Sequence, residues 1–312
     1  MKKILVTGGA GHIGSCLAHA LVRDEENLVV IIDDLSTGYM WKLPPKSKNN
    51  WKFIKCDVNQ YRDIAEVMLS YQFDYVFHYA ATVGVKRTLG HPVRVLDDID
   101  GIRNILNLSK GTGVKRVYYS SSSEVYGEPV ELPQNEDTTP LNSRLPYAIV
   151  KNVGEAFLKS YKQEFDLNYT IFRFFNTYGP MQSTDFVMSR FIKKALKNED
   201  IPVYGDGSQT RTFCYSDDNI EACMNAFKKD LYVNDIVNIG NDKETTIFEL
   251  ANLIKKVTGS SSKIQHLPPL MEGDMTRRQP DISKMHTLLN RELLPIDKGI
   301  EKVLESGNQN KW

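Results

Sequence analysis

In the first half of the chain, short apolar runs alternate with longer stretches whose apolar residues recur every three to four positions. Residues 3–7 (KILVT) form the first run. After a group of glycines, Ile13, Leu17 and Leu21 recur at four-residue spacing with Ala18 and Val22 alongside, one face of a helix. A second run over 28–32 ends in Asp33 and Asp34, and a third, Phe53–Ile54, leads into Cys56, Asp57 and Val58. A helical stretch near 61–71, a strand at 75–77, a long helical pattern after Pro92 and a strand at 116–120 follow. Strands separated by such helical segments make βαβ units, which call for a parallel sheet with helices on both faces. The second half is less regular. Helix-like stretches near 147–165 and 186–198 flank a strand at 169–174, Pro and Gly punctuate 179–182 and 202–207, and 259–281 is rich in Pro, Gly, Ser and charge. The pattern predicts an α/β fold. A Rossmann-like, doubly wound parallel sheet covers residues 1–176, and a smaller C-terminal α/β lobe covers 177–312, with an interleaved boundary.

Length and composition fit that picture. The 312 residues correspond to two domains at ~150 residues each, and 41% hydrophobic with 25% charged residues suits an ordinary globular chain. The 39 basic and 39 acidic side chains cancel, which excludes a strongly basic nucleic-acid binder. No apolar run approaches the ~20 residues needed to span a bilayer. The apolar start, Ile4 to Val6, is too short for a signal-peptide core, so a cytoplasmic protein without a membrane partner is expected. Cys16, Cys56, Cys214 and Cys223 lie far apart with no C-x-x-C pair, and the six histidines are scattered. Neither a disulfide framework nor a protein-bound metal is expected.

Gly8, Gly11 and Gly14 in TGGAGHIGS fall between the first strand and the first helix. Glycines there let the turn bend tightly and let a pyrophosphate approach the backbone, while the helix N-terminus offers its N–H groups and positive dipole. The strand-turn-helix context gives the triplet its meaning, with His12 and Ile13 in the same loop. Asp33 ends the second strand 19 residues after Gly14, where a carboxylate accepts hydrogen bonds from an adenosine ribose, and Asp34 is beside it. A carboxylate there repels a 2′-phosphate, and no Arg or Lys falls between residues 33 and 41 to neutralise one. NAD is therefore favoured over NADP. Asp57 and Val58, after the third strand, are suited to the adenine edge.

Tyr147 and Lys151 stand four apart, on one face of a predicted helix. A lysine close to a tyrosine, with a positive nicotinamide ring nearby, favours the phenolate. Lowering a tyrosine pKa from ~10 to near 7 needs about 4 kcal/mol of differential stabilisation. Such a phenolate takes a proton from a sugar hydroxyl as hydride leaves the same carbon. Upstream, Tyr119-Ser120-Ser121-Ser122-Ser123-Glu124-Val125-Tyr126-Gly127 sets hydroxyls at the C-terminal end of the fifth strand, where open α/β sheets bind ligands. Arg211, Arg277 and Arg278 are guanidiniums of the kind a diphosphate requires.

Taken together, the chain resembles an extended short-chain dehydrogenase/reductase of the nucleotide-sugar epimerase/dehydratase family, from end to end. The pieces that carry the resemblance are TGGAGHIG, Asp33, Asp57-Val58, His78-Tyr-Ala-Ala81, SSSSEVYG, Tyr147/Lys151, Asn176-Thr-Tyr-Gly-Pro180, Tyr204-Gly-Asp-Gly-Ser-Gln-Thr-Arg211 and Arg277-Arg-Gln-Pro-Asp281. The resemblance implies that Tyr147 is the base, Lys151 its pKa modulator and ribose anchor, and Ser122 the hydroxyl that relays to the sugar O4. It implies that Ala80 and Ala81 line the cofactor, that Asn176 and Arg211 bind the substrate diphosphate, and that Tyr204 lies near the nucleotide base. Lys86, Asp274 and Arg278 join the substrate side. A homodimer through the helices near 92–110 and 147–165 is implied as well.

Members of this family start by oxidising a sugar carbon, usually C4, with bound NAD. A 4-epimerase then needs no further group, a 4,6-dehydratase needs a base for the C5 proton, and a glucuronate decarboxylase uses the ketone as an electron sink. Glu124 discriminates among them. It follows Ser122 by two, as in dehydratases and UDP-glucuronate decarboxylases, and Ser123 stands where dTDP-glucose dehydratases carry an Asp. The C-terminal motifs, with Arg144 and Arg278, are similar to the decarboxylases. The loop Ala81-Thr-Val-Gly-Val-Lys86-Arg87 is closer to 4-epimerases. Asp98 replaces an Asn common in the family, and Met181 replaces an Arg that often follows NTYGP. The best single expectation is a UDP-glucuronate decarboxylase, with a UDP-sugar 4-epimerase and an NDP-hexose 4,6-dehydratase as alternatives. A non-catalytic dinucleotide-binding relative is a remote fourth, against which the complete Ser122, Tyr147 and Lys151 set argues.

Overall fold

A computed structural model describes residues 1–84, 88, 90–269 and 277–308. The first half runs β1 (Lys2–Thr7), α1 (His12–Leu21), β2 (Asn27–Asp33), β3 (Trp51–Lys55), α2 (Tyr61–Tyr71), β4 (Tyr75–His78), α3 (Pro92–Leu96), α4 (Asp98–Thr112), β5 (Arg116–Ser122), α5 (Pro146–Phe165) and β6 (Asn168–Phe174). It continues as β7 (Thr177–Tyr178), α6 (Val187–Leu196), β8 (Ile201–Tyr204), β9 (Thr210–Thr212), β10 (Cys214–Tyr215), α7 (Ser216–Lys228) and β11 (Asp235–Ile239). The last described elements are β12 (Glu244–Thr246), α8 (Ile247–Thr258), β13 (Ile264–Leu267), α9 (Ser283–Leu289) and α10 (Ile296–Glu305).

The central sheet has the order β11-β6-β5-β4-β1-β2-β3, with β1 parallel to both β2 and β4, β2 to β3, and β4 to β5. Chain order reverses between β1 and β4, so this is the doubly wound arrangement the sequence predicts. Strands covered on both faces read as continuous apolar runs, and β2 and β5 are buried along almost their whole length. The expected long helix after Pro92 breaks at Asp97 into α3 and α4. Asp98 and Asp100 then occupy the first turn of α4, where carboxylates complement the helix dipole.

The chain forms two compact units. Unit 1 comprises Met1–Val125, Ser143–Arg173 and Ile220–Val237; unit 2 comprises Tyr126–Asn142, Phe174–Asn219 and Asn238 onward. Unit 1 takes in 220–237 because β11 fills an edge of the sheet and because polar contacts fasten the preceding turn. Buried Arg116 reaches the Leu231 carbonyl at 3.2 Å and the Asp230 carboxylate, Thr170 Oγ1 donates to the Tyr232 carbonyl, and the Asn234 amide donates to the Tyr169 carbonyl. Unit 2 pairs β7 with β10, β9 with β12 and β8 with β13. Its core gathers Phe191, Ile192, Ile201, Val203, Leu250, Ile254 and Ile300. Thr246 and Glu249 form a reciprocal capping box that starts α8. Among the described residues, no helix is long and apolar enough to cross a membrane.

Candidate active site

Open α/β sheets bind ligands where the strand order reverses, here beyond the ends of β1 and β4. Thr7 closes β1, and its Oγ1 accepts the amides of Tyr79 and Ala80, both at 3.0 Å, which fixes the backbone leaving β4. Gly8 follows at φ +67; a Cβ there would lie 2.7 Å from the Ala80 backbone. Gly14 is equally constrained, since its Cβ would lie 2.3 Å from the Gly8 carbonyl oxygen. Gly11 caps α1 with no side-chain hydrogen bond and no acidic residue in the first turn, so that turn keeps its positive end for an anion. His12 and Ile13 open this helix, and burial pushes the His12 imidazole down to about 3.

Asp33 braces the loop from the next strand. One carboxylate oxygen accepts the Ala10 amide at 3.0 Å and the other the Leu35 amide at 2.8 Å. Burial raises its pKa against those hydrogen bonds. Asp34 is tied into its own turn by the Ser36 amide and hydroxyl, and Asp57 by the Asn59 amide. Val58 is buried in the core, where Ala80 packs half-buried against the same cluster; Ala81 is half-buried. One cation escaped the sequence reading by a single position. Lys42 is buried close enough to Asp33 and His12 to act on the charge of each, and burial lowers its own pKa.

Helical spacing brings Tyr147 and Lys151 together as expected. The Lys151 ammonium lies 5.8 Å from the Tyr147 ring centre and 4.9 Å from that of Tyr119. It donates to the Ser120 carbonyl at 2.6 Å, which joins α5 to the end of β5. Burial drives the Lys151 pKa down to about 8, opposed by the carboxylates of Asp98 and Glu155. Ser122 is buried, and its Oγ accepts the Glu124 amide at 3.2 Å, so the hydroxyl proton is left to point elsewhere. Asp98 accepts the Thr82 amide at 2.6 Å and so also holds the chain just past Ala81.

In unit 2, Asn176 Nδ2 donates to the Thr212 carbonyl, while the Asn176 carbonyl accepts the Cys214 amide. Arg211 is buried on β9, Tyr204 is half-buried at the end of β8, and Arg278 is buried. Arg277 is held by Glu244 in a two-point pair at 2.8 and 2.6 Å. Lys86 and Asp274 lie outside the described residues.

A model described as the NAD dependent epimerase/dehydratase family matches residues 4–240. The chain belongs to this family. It is 38% identical over 299 residues to the UDP-N-acetyl-alpha-D-glucosaminuronate decarboxylase of Bacillus cytotoxicus, covering 91% of this chain and 90% of that one. It is 35% identical over 313 residues to UDP-glucuronic acid decarboxylase 1 of Danio rerio, covering 97% of this chain and 72% of that one. Among solved structures, the UDP-glucose 4-epimerase of Thermotoga maritima with UDP-glucose superposes with a TM-score of 0.92 at 30% identity, covering 99% of this chain and 100% of that one.

The residues of this epimerase/dehydratase family member fit its NAD cofactor. The Gly8–Ala80 approach leaves no room for a side chain between loop and strand, the α1 N-terminus is uncapped, and Asp33 retains acceptor capacity beyond its two amides. Sequence reading missed Glu155 as well as Lys42. Glu155 follows Lys151 by one helical turn, and that spacing was the available signal.

Proposed function

We propose that this enzyme is a UDP-glucuronate decarboxylase that works by transient oxidation of the hexose at C4. The reading rests on Glu124, two residues after the Ser122 hydroxyl assigned to the sugar O4: its backbone amide donates to Ser122 Oγ at 3.2 Å, and one of its carboxylate oxygens is buried. NAD, held by the Gly8–Gly14 loop and Asp33, would supply the acceptor, and afterwards the donor, of the C4 hydride. Tyr147, as phenolate, takes the O4 proton as the hydride leaves, and the Lys151 ammonium favours that phenolate. Ser122 gives its remaining hydrogen bond to O4. The C4 ketone is β to the C6 carboxylate, so the C5–C6 bonding pair moves into the ketone as carbon dioxide departs. Ser122 and the Tyr147 phenol then stabilise the enolate oxygen. Glu124 delivers a proton to C5, and Tyr147 returns the O4 proton as C4 is reduced.

On the substrate side, Asn176, Arg211, Arg278, Lys86 and Asp274 are assigned to the nucleotide diphosphate and sugar, and Tyr204 to the base. A buried guanidinium such as Arg211 suits phosphate oxygens, because charge-assisted bonds strengthen away from water. A 4-epimerase is the second reading, favoured by the Gly84-Val85-Lys86-Arg87 sequence. In that reading Glu124 has no proton to carry.

The test is incubation with UDP-glucuronate, UDP-glucose, UDP-N-acetylglucosamine and the dTDP- and GDP-hexoses plus NAD, with product masses read by LC–MS. Loss of carbon dioxide from UDP-glucuronate is the expected result, abolished in Glu124→Gln. A new isomer of unchanged mass supports the epimerase instead, and loss of water a dehydratase.

A further inference from the structure

We propose that Glu155 is a positioning residue for this reaction, sorting the serine hydroxyls at the end of β5 and balancing the Lys151 charge. The inference rests on the roles proposed above for Tyr147, Lys151 and Ser122. Tyr147, Lys151 and Glu155 follow one another at four-residue intervals along α5, so all three lie toward one side of the helix. Glu155 and Arg173 are 1% and 2% exposed. Arg173, from β6, donates through Nε to Glu155 Oε1 at 2.9 Å and through Nη2 to Oε2 at 2.7 Å. A pair serving only to neutralise itself would be complete at that point. Glu155 Oε1 takes a third donor, the Ser121 hydroxyl, at 2.5 Å.

That third bond decides what Ser121 can do. Ser121 commits its only proton to Glu155 and has none for a substrate. The Ser120 carbonyl is held by Lys151. Ser120 Oγ accepts from Lys151 at 3.5 Å, and Ser122 Oγ accepts the neighbouring amide and keeps a hydroxyl proton to give, which Ser121 does not. The charge environment of Lys151 comes from every neighbouring element: Asp98 on α4, Glu155 on its own helix, neutral His78 on β4, and the phenols of Tyr119 and Tyr147. Two carboxylates thus oppose the burial that would strip the ammonium of its proton, and Glu155 is the one that also holds Ser121.

The experiment uses the full-length NAD-loaded enzyme with UDP-glucuronate and, separately, UDP-glucose. In Glu155→Gln the carboxylate charge is lost and Arg173 is left uncancelled, both of which discharge Lys151 at lower pH. The expected result is a kcat reduced by about tenfold or more, the scale of a charge-assisted hydrogen bond. NAD affinity is unchanged, and the alkaline limb of the rate profile moves to lower pH. Ser121→Ala keeps the Glu155–Arg173 pair, and is decisive alone if Glu155→Gln does not fold. It should lower kcat several-fold with the alkaline limb unmoved. Wild-type kcat and pH profile in the folded variants would overturn the inference. Tyr147→Phe, run alongside, separates the two ideas. If it keeps the wild-type rate, the underlying site assignment fails. If it is inactive while the folded Glu155 and Ser121 variants behave as wild type, only the positioning role fails.

Discussion

The Thr7 hydroxyl lies 2.9 Å from His78 Nδ1, and it donates its proton to that ring nitrogen. The direction follows from counting: the same oxygen already accepts the Tyr79 and Ala80 amides, so its lone pairs are used and the hydrogen goes to His78. His78 is therefore a neutral imidazole protonated at Nε2. Burial, reinforced by the Lys151 charge, pushes its pKa down to about 3.

This burial makes stability depend on acid. The folded pKa lies below the unfolded value of 6.5, so the unfolded state binds the extra proton between pH 6.5 and about 3. Stability falls as pH drops through that window, by at most about 5 kcal/mol for this group. Denaturant titrations at several pH values should show that slope. His12 contributes in the same direction, so the difference from His78→Asn isolates the His78 share, and an unchanged slope would refute it.

Gly8→Ala should unfold more easily than the parent by about 3 kcal/mol, combining overpacking with a left-handed backbone. The clash is with the Ala80 backbone, which cannot swing aside. Gly111→Ala is the control. Nothing lies within 4 Å of its added Cβ in α4, so it should gain about 0.5–1 kcal/mol. Thermal unfolding of both variants checks the contrast.

The oxidation step should weaken as pH rises through about 8. Lys151 is an ammonium below that value and neutral above it, and only the ammonium favours the Tyr147 phenolate. Single-turnover rates across pH should show this alkaline limb. Tyr147→Phe should cost about 10²–10⁴-fold in rate, the range of a positioned proton-transfer group, with NAD affinity retained.

Asp33→Asn should weaken NAD binding by about tenfold, since an amide cannot replace both charge-assisted acceptors. It should also narrow the preference for NAD over NADP. Lys42 sharpens this prediction, because a buried cation near Asp33 is no longer offset once the carboxylate is gone. Fluorescence titration with both dinucleotides measures the two effects.

Much of unit 1 was legible because its structure is local. β2 is an apolar run ending in Asp33, β1 a shorter one followed by Thr7 and Gly8, and the Tyr147–Lys151 proximity is a direct consequence of helical spacing. What escaped is set by contacts far apart in sequence. Glu155 meets Ser121 across 34 positions, and the Arg277–Glu244 pair spans 33. β11 has only five residues, and nothing within it says that it borders β6 in the main sheet. The break at Asp97 was invisible to periodicity, because its backbone angles stay in the helical region and the apolar spacing continues across it.

The central claim, oxidation at C4 followed by decarboxylation, is tested most directly by following hydrogen. UDP-glucuronate deuterated at C4 is converted in ordinary water, and unlabelled UDP-glucuronate in heavy water, and each product is read by mass and NMR. The account predicts a product lacking the carboxyl group that keeps the C4 deuterium in the first case and gains a single carbon-bound deuterium at C5 in the second. Loss of the C4 label to solvent would contradict hydride transfer and return through bound NAD. An intact, uronate-containing isomer with no solvent deuterium would contradict decarboxylation and make the enzyme an epimerase.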